Sequence, residues 1–130
     1  KLPLLNTYIA ARQSLAAQYN QAFAGNKHIK TPVIAKYSTH VFHQYTLVLE
    51  GVDRNGLNQY LADKGVPSMI YYPVPAHRQK MFDSFSLQKA NLPVTDWLTE
   101  RVISLPMHTE MEAEQLQFIT SNVVGYINQK

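Results

Sequence analysis

The sequence predicts an α+β fold, with one three-stranded sheet and helices packed on it. Three observations carry that expectation. Apolar residues recur at helical spacing near the N-terminus (Leu4, Leu5, Tyr8, Ile9, Leu15, Ala16, Tyr19, Phe23). Two runs rich in β-branched and large apolar residues, Val41–Leu49 and Val102–Leu105, read as strands. Near the C-terminus a second helical stripe, Leu116, Ile119, Val123 and Ile127, follows a capping pattern, Thr109-Glu110-Met111-Glu112.

Taken in order, the elements alternate. A helix is expected from Pro3 to Ala24, with Arg12 as the polar interruption of its stripe and Gly25-Asn26 as its stop. Thr31–Ala35 forms a short strand or loop, and the strand Val41–Leu49 ends at Gly51. Asp53 caps the next helix, whose buried side carries Leu57, Tyr60 and Leu61, and Lys64-Gly65 closes it. A strand over Ser68–Val74 follows Pro67 and is stopped by Pro73 and Pro75, which lack a ladder donor. A short helix around Gln79–Phe85 comes next. Thr95 then caps a turn through Trp97, Leu98 and Arg101, the strand Val102–Leu105 stops at Pro106, and the last helix begins at Thr109. Gly125 inside that helix costs about 1 kcal/mol against Ala, which points to tight packing there.

A chain of 130 residues is one domain, long enough for a core without staples. Hydrophobic content of 45% and charged content of 16% are those of a globular protein. The absence of cysteine excludes a disulfide scaffold and thiolate chemistry, and fits a reducing, cytoplasmic setting. The net charge of +3 comes from cations spread singly along the chain, which argues against a nucleic-acid surface. No apolar stretch reaches the ~18 residues of a membrane span.

The candidate chemistry is sparse. His40 and His43 are three apart beside a strand, where they face opposite sides, so no metal site is expected. His43 shares a face with Val41, Tyr45 and Leu47 and reads as hydrogen-bonded and half-buried. His28 reads as surface, and the capping pattern accounts for the segment after His108. His77 sits in a loop past a strand end, where functional groups often project, or else is a solvent-exposed turn histidine. Tyr71 and Tyr72, adjacent in a strand, point to opposite faces, one into the core and one toward a cleft or interface. Asp96 and Glu100, with Arg101, read as a solvated helical face. Nucleophile elbows, G-x-G-x-x-G and Walker patterns are absent. The residues therefore give no complete catalytic set, no metal site and no cofactor-binding residues.

Four stretches carry a family resemblance: His43-Gln44-Tyr45-Thr46, Gly65 through Pro73, Pro75-Ala76-His77, and Leu92 through Met111. In this order and at these separations they resemble the C-terminal part of the DegT/DnrJ/StrS sugar aminotransferases. The resemblance spans essentially the whole chain. It implies a small domain with a mainly antiparallel sheet, as in the C-terminal domain of fold-type-I pyridoxal phosphate (PLP) enzymes, with residues 1–25 as its leading connector helix.

In that family a larger preceding domain holds PLP on a lysine, and an amino donor, usually glutamate, supplies the nitrogen placed on a keto-sugar of a nucleotide sugar. The resemblance thus implies a chain without the catalytic lysine, inactive alone, from an enzyme that is a homodimer at full length. The nearest likeness is to enzymes acting on a UDP-linked 3-keto N-acetylated glucuronic acid for surface polysaccharide such as lipopolysaccharide O-antigen. It further implies that Tyr71, Tyr72 and His77 are substrate-proximal, with orienting roles. Relatives often carry His at the place of Tyr71 and Leu at that of Ala76. The alternative is a free-standing α+β binding module without catalysis, which would bury the stripe of Leu5, Ile9 and Tyr19 within itself. A nucleic-acid-binding sheet would reveal itself by binding that weakens steeply with salt.

Overall fold

The computed structural model of the protein describes residues 2–85 and 90–129. A 3-10 turn, Leu2–Leu4, leads into helix α1, Leu5–Ala22. Gly25, at φ +78°, supplies the left-handed turn that ends this segment, as its sequence position predicts. Only the second half of α1 is buried, through Leu15, Ala16 and Tyr19, with Phe23 just beyond. Leu2, Leu4, Leu5 and Tyr8 stay exposed, so the apolar stripe is only partly used by this chain.

Strands β1 (Ile29–Lys30), β2 (Tyr45–Leu49) and β3 (Val102–Leu105) form one antiparallel sheet in the order β1-β2-β3. Tyr45 stands opposite Leu105 and Leu47 opposite Ile103, which puts Tyr45, Leu47, Leu49, Ile103 and Leu105 in the core. Three strands were expected; two of them form, at Tyr45–Leu49 and Val102–Leu105, and the third place is taken by Ile29–Lys30 and not by Ser68–Val74. Of the two forms expected for Thr31–Ala35 the loop is the one found; the pairing residues are Ile29 and Lys30 just before it, and Pro32 has no N–H to continue the ladder. Val41–Gln44 lies outside the central strand. Phe42 has a φ of 49°, and its carbonyl and that of His43 are taken by the Arg12 guanidinium at 3.0 and 3.1 Å instead of by a neighbouring strand.

The expected strand Ser68–Val74 shrinks to a single bridge. Met69 exchanges both backbone bonds with Ser104, at 3.0 and 2.7 Å, on the outer edge of β3, and the chain then leaves the sheet. Prolines at 67, 73 and 75 remove the donors that would have extended it.

Helix α2 spans Arg54–Asp63. Asp53 caps it, its carboxylate accepting from the Gly56 N–H at 3.0 Å, and Gly65 at φ +75° closes it. The segment Ala76–Arg78 and then Lys80–Phe85 wind as 3-10 turns, where a helix around Gln79–Phe85 was expected. Helix α3, Pro93–Thr99, starts with Pro93 after Leu92, not with Thr95 as its cap; Thr95 lies inside, and its carbonyl accepts from the Thr99 hydroxyl at 2.8 Å.

Helix α4, Ala113–Asn128, begins three residues later than expected, because the capping box is formed by Glu112 and Gln115 and not by Thr109 and Glu112. Gly125 in α4 is not tightly packed either: a Cβ built there meets nothing within 4 Å. The crowded glycine is Gly56, where a Cβ would overlap the Tyr126 hydroxyl and the Asp53 carboxylate.

α1, α2 and α4 close over the inward face of β2 and β3 in one cluster. Leu57, Leu61, Val123 and Tyr19 are fully enclosed in it. Each such side chain contributes about 1.5–3 kcal/mol of burial. The Tyr19 ring stacks on Tyr45 at 4.7 Å; its hydroxyl donates to the Pro106 carbonyl at 2.9 Å, and that of Tyr45 to Asn20 at 2.6 Å. Burial raises both phenol pKa values, for Tyr45 with a further push from Tyr19. Among the described residues no helix is long and apolar enough to cross a membrane.

Candidate functional site

Where the chain departs from β3 after Met69, it opens a cleft of about 510 Å³. One wall is the segment 71–79, which contributes Tyr71, Tyr72, Val74, Pro75, Ala76 and Gln79. The other is α3 with the start of β3, which contributes Thr95, Leu98, Thr99 and Val102.

Tyr71 and Tyr72 are 41% and 74% exposed, so neither packs in the core, against the expectation that one would. The two-residue alternation of a strand applies only where the strand continues, and here the ladder ends at Met69. The two rings meet edge to face at 6.1 Å, and both line the cleft. Tyr71 also borders a second, smaller hollow of about 300 Å³ that carries Arg12, His43, Gln44 and Ser104. His43 is exposed there and lies before β2, not within it, which corrects its expected half-buried position.

His77 lies behind the cleft wall. It is 6% exposed, not the turn histidine open to solvent, and its Nε2 lies 3.1 Å from Asp96 Oδ1. Arg78 reaches the same carboxylate, donating from Nη2 to Oδ2 at 2.8 Å and from Nε to Oδ1 at 3.4 Å. The Arg78 hydrogen bonds are the main reason that the Asp96 carboxyl is held below the usual range; partial burial opposes this, and the nearby charges of Arg78 and His77 assist it. Arg78 is raised in turn by Asp96. Asp96 is therefore a junction and not part of a solvated face. Glu100 does pair with the adjacent Arg101, at 3.0 Å, near the surface.

Behind α3, the buried Arg54 guanidinium donates to the carbonyls of Thr99 and Val102 at 3.0 and 3.1 Å. Burial lowers its pKa, while Asp53 and Glu100 oppose that shift. It fixes the end of α3 to the start of β3, so the cleft has a rigid floor. His28, expected at the surface, is partly buried, with Nδ1 2.8 Å from the Glu50 carbonyl.

Asp96, Arg78, Thr95, Thr99 and Gln79 were not singled out as site residues by sequence reasoning. No local spacing links His77 to a carboxylate nineteen positions on. Among the described residues no group of three His, Cys, Asp or Glu side chains is placed to hold a metal ion. Instead, His40 Nδ1 accepts the Phe42 backbone N–H at 2.9 Å. The cleft offers neutral donors and acceptors and two exposed rings, suited to a polyhydroxylated or planar ligand.

A family model described as the DegT/DnrJ/EryC1/StrS aminotransferase family matches residues 1–124. The chain is 36% identical over 121 residues to the UDP-N-acetyl-3-dehydro-alpha-D-glucosamine 3-aminotransferase of Acidithiobacillus ferrooxidans, covering 93% of this chain and 31% of that protein. It is 33% identical over 119 residues to the UDP-2-acetamido-2-deoxy-3-oxo-D-glucuronate aminotransferase of Pseudomonas aeruginosa, covering 92% of this chain and 32% of that protein. Among solved structures it is similar to S. venezuelae DesV in complex with ketimine intermediate, with a TM-score of 0.87 and 28% identity over 96% of this chain and 33% of DesV. The chain spans about a third of the length of these relatives.

Proposed function

The chain belongs to the DegT/DnrJ/EryC1/StrS aminotransferase family, and from that membership we propose that it forms the C-terminal small domain of a PLP-dependent enzyme that aminates a keto-sugar of a nucleotide sugar. The observation that carries this reading is the cleft, lined by Tyr71 and Tyr72 from a segment that resembles the family's sugar-facing stretch. In the finer form of the proposal the substrate is a UDP-linked 3-keto N-acetylated glucuronic acid and the amino donor is glutamate. The product would serve surface polysaccharide. The working enzyme is then a cytoplasmic homodimer.

The cleft residues do not fit PLP itself. Among the described residues, no lysine amine lines the cleft to hold the cofactor's aldehyde carbon. Two helix N-termini that could cradle a phosphate are already capped by carboxylates, those of Asp53 and Glu112. No chemical step is therefore assigned to this chain. When bound in the complete enzyme, the cofactor supplies the electron sink.

This chain's residues bind and orient. The rings of Tyr71 and Tyr72 stack against a sugar or base face, and their hydroxyls exchange hydrogen bonds with sugar hydroxyls. Thr95, Thr99 and Gln79 add neutral partners. His77, substrate-proximal by the family resemblance, acts from behind the wall and not from within the cleft.

The test is transamination by the product of the complete reading frame that contains these 130 residues. With glutamate and a UDP-3-keto-sugar it is expected to yield the amino sugar, while the 130-residue chain alone shows neither turnover nor the cofactor's visible absorbance. A full-length product inert toward every nucleotide-linked keto-sugar would overturn the reading.

A further inference from the structure

We infer that Asp96 is a positioning residue for the cleft, its carboxylate locking the wall that carries Tyr71 and Tyr72 onto the wall formed by α3. The inference rests on the reading of that cleft as the sugar-facing surface.

Three observations support it. Past Met69, the segment 71–79 has no ladder to the sheet. Among the described residues, the hydrogen bonds that cross from 71–79 to α3 all end on Asp96, from His77 and Arg78. Both donors sit in the single 3-10 turn Ala76–Arg78, directly after the cleft residues Val74, Pro75 and Ala76. One carboxylate thus receives three bonds on two oxygens. Its buried arm, His77, fixes the depth of the turn, and its exposed arm, Arg78, fixes the rotation.

A charged acceptor is needed at position 96. A neutral amide presents one acceptor oxygen and turns an N–H₂ group toward one of the two donors. Charge-assisted bonds are also about twice as strong as neutral ones. Neither Asp96 nor any other residue of α3 belongs to the core cluster built by α1, α2 and α4 with the sheet, so its loss should free the cleft wall and leave the fold intact.

The experiment uses the full-length enzyme with Asp96→Asn, Asp96→Glu, Arg78→Gln and Tyr72→Ala. It measures KM for the nucleotide sugar, kcat, melting temperature and amide hydrogen exchange. Asp96→Asn is expected to raise KM about tenfold, with kcat within about twofold, and to speed exchange at 71–79. The melting temperature should hold within about 2 °C. Asp96→Glu restores the carboxylate and brings KM back to within about twofold of the parent. Arg78→Gln shifts KM and exchange in the same direction by less, and carries the test should Asp96→Asn fail to fold.

The inference is overturned if Asp96→Asn leaves KM and the exchange of 71–79 unchanged while Tyr72→Ala raises KM. It is also overturned if KM rises only together with a global melting loss that Glu does not rescue. If Asp96→Asn speeds exchange at 71–79 but neither it nor Tyr72→Ala moves KM, the lock stands and the sugar-facing reading of the cleft fails.

Discussion

From Tyr45 to Leu61 the chain is held by burial. Tyr45, Leu47, Leu57 and Leu61 have no exposed surface, and a paired strand runs through Asp53 into a capped helix. From Tyr71 to Gln79, only ten residues later, almost nothing is buried except His77, and the backbone bonds within the segment are local turns. What fixes that second region is one carboxylate on another element. The contrast teaches that the domain separates a rigid support from an open, polar-held surface. Such a surface can meet a ligand without spending core stability.

The strongest way to break the contrast is to cut the support. Leu57→Ala should cost about 2–5 kcal/mol, because the side chain is wholly enclosed and the cavity cannot fully collapse. Urea unfolding of the 130-residue chain checks this, and a loss under about 1 kcal/mol would mean that the core is looser than described.

Two identical substitutions in the support should then differ in sign. Gly56→Ala drives a Cβ into the Tyr126 hydroxyl and the Asp53 cap and is expected to destabilise by about 1–2 kcal/mol. Gly125→Ala meets open space and should stabilise by about 0.5–1 kcal/mol through helix propensity alone. The same unfolding curves report both.

On the open surface, Tyr72→Ala should leave unfolding unchanged within about 0.5 kcal/mol. In the full-length enzyme it should still raise KM by about tenfold, the worth of one lost neutral hydrogen bond. A large stability loss would erase the distinction between the two regions.

The smallest effect is acidic. The folded-state pKa of Asp96 is depressed, so its contribution to stability is fully present above its ordinary value of 3.8 and fades as pH falls through the lower native value. Melting temperatures of the parent and Asp96→Asn should therefore converge as the pH falls below 3.8 and through the depressed native value. A gap that persists at the acid end would assign the Asn effect to shape and not to charge.

Much of the support was legible in the sequence. The long first helix, the core of the central strand, the Asp53 cap, the Lys64-Gly65 stop and the strand Val102–Leu105 each rest on residues close together in the chain. The site was legible only in outline. Tyr71 and Tyr72 do line the cleft, but a strand period applied past Met69 wrongly sent one of them inward. The last helix started late because Glu112 and Gln115 satisfied its first N–H groups as well as Thr109 and Glu112 would have. Gly125 was misread because a helical glycine signals either close packing or tolerance, and spacing does not separate the two.

By itself, then, the sequence determined where regular structure forms and stops, since caps, prolines and apolar period act within a few residues. The tertiary structure alone decided which distant groups meet: Arg12 on the carbonyls of Phe42 and His43, Arg54 across α3 and β3, and His77 with Arg78 on Asp96. The physical reason is that a charged or hydrogen-bonding side chain carries no mark of its partner. The partner is chosen when burial of the apolar faces brings remote segments together and leaves each polar group to find the nearest acceptor.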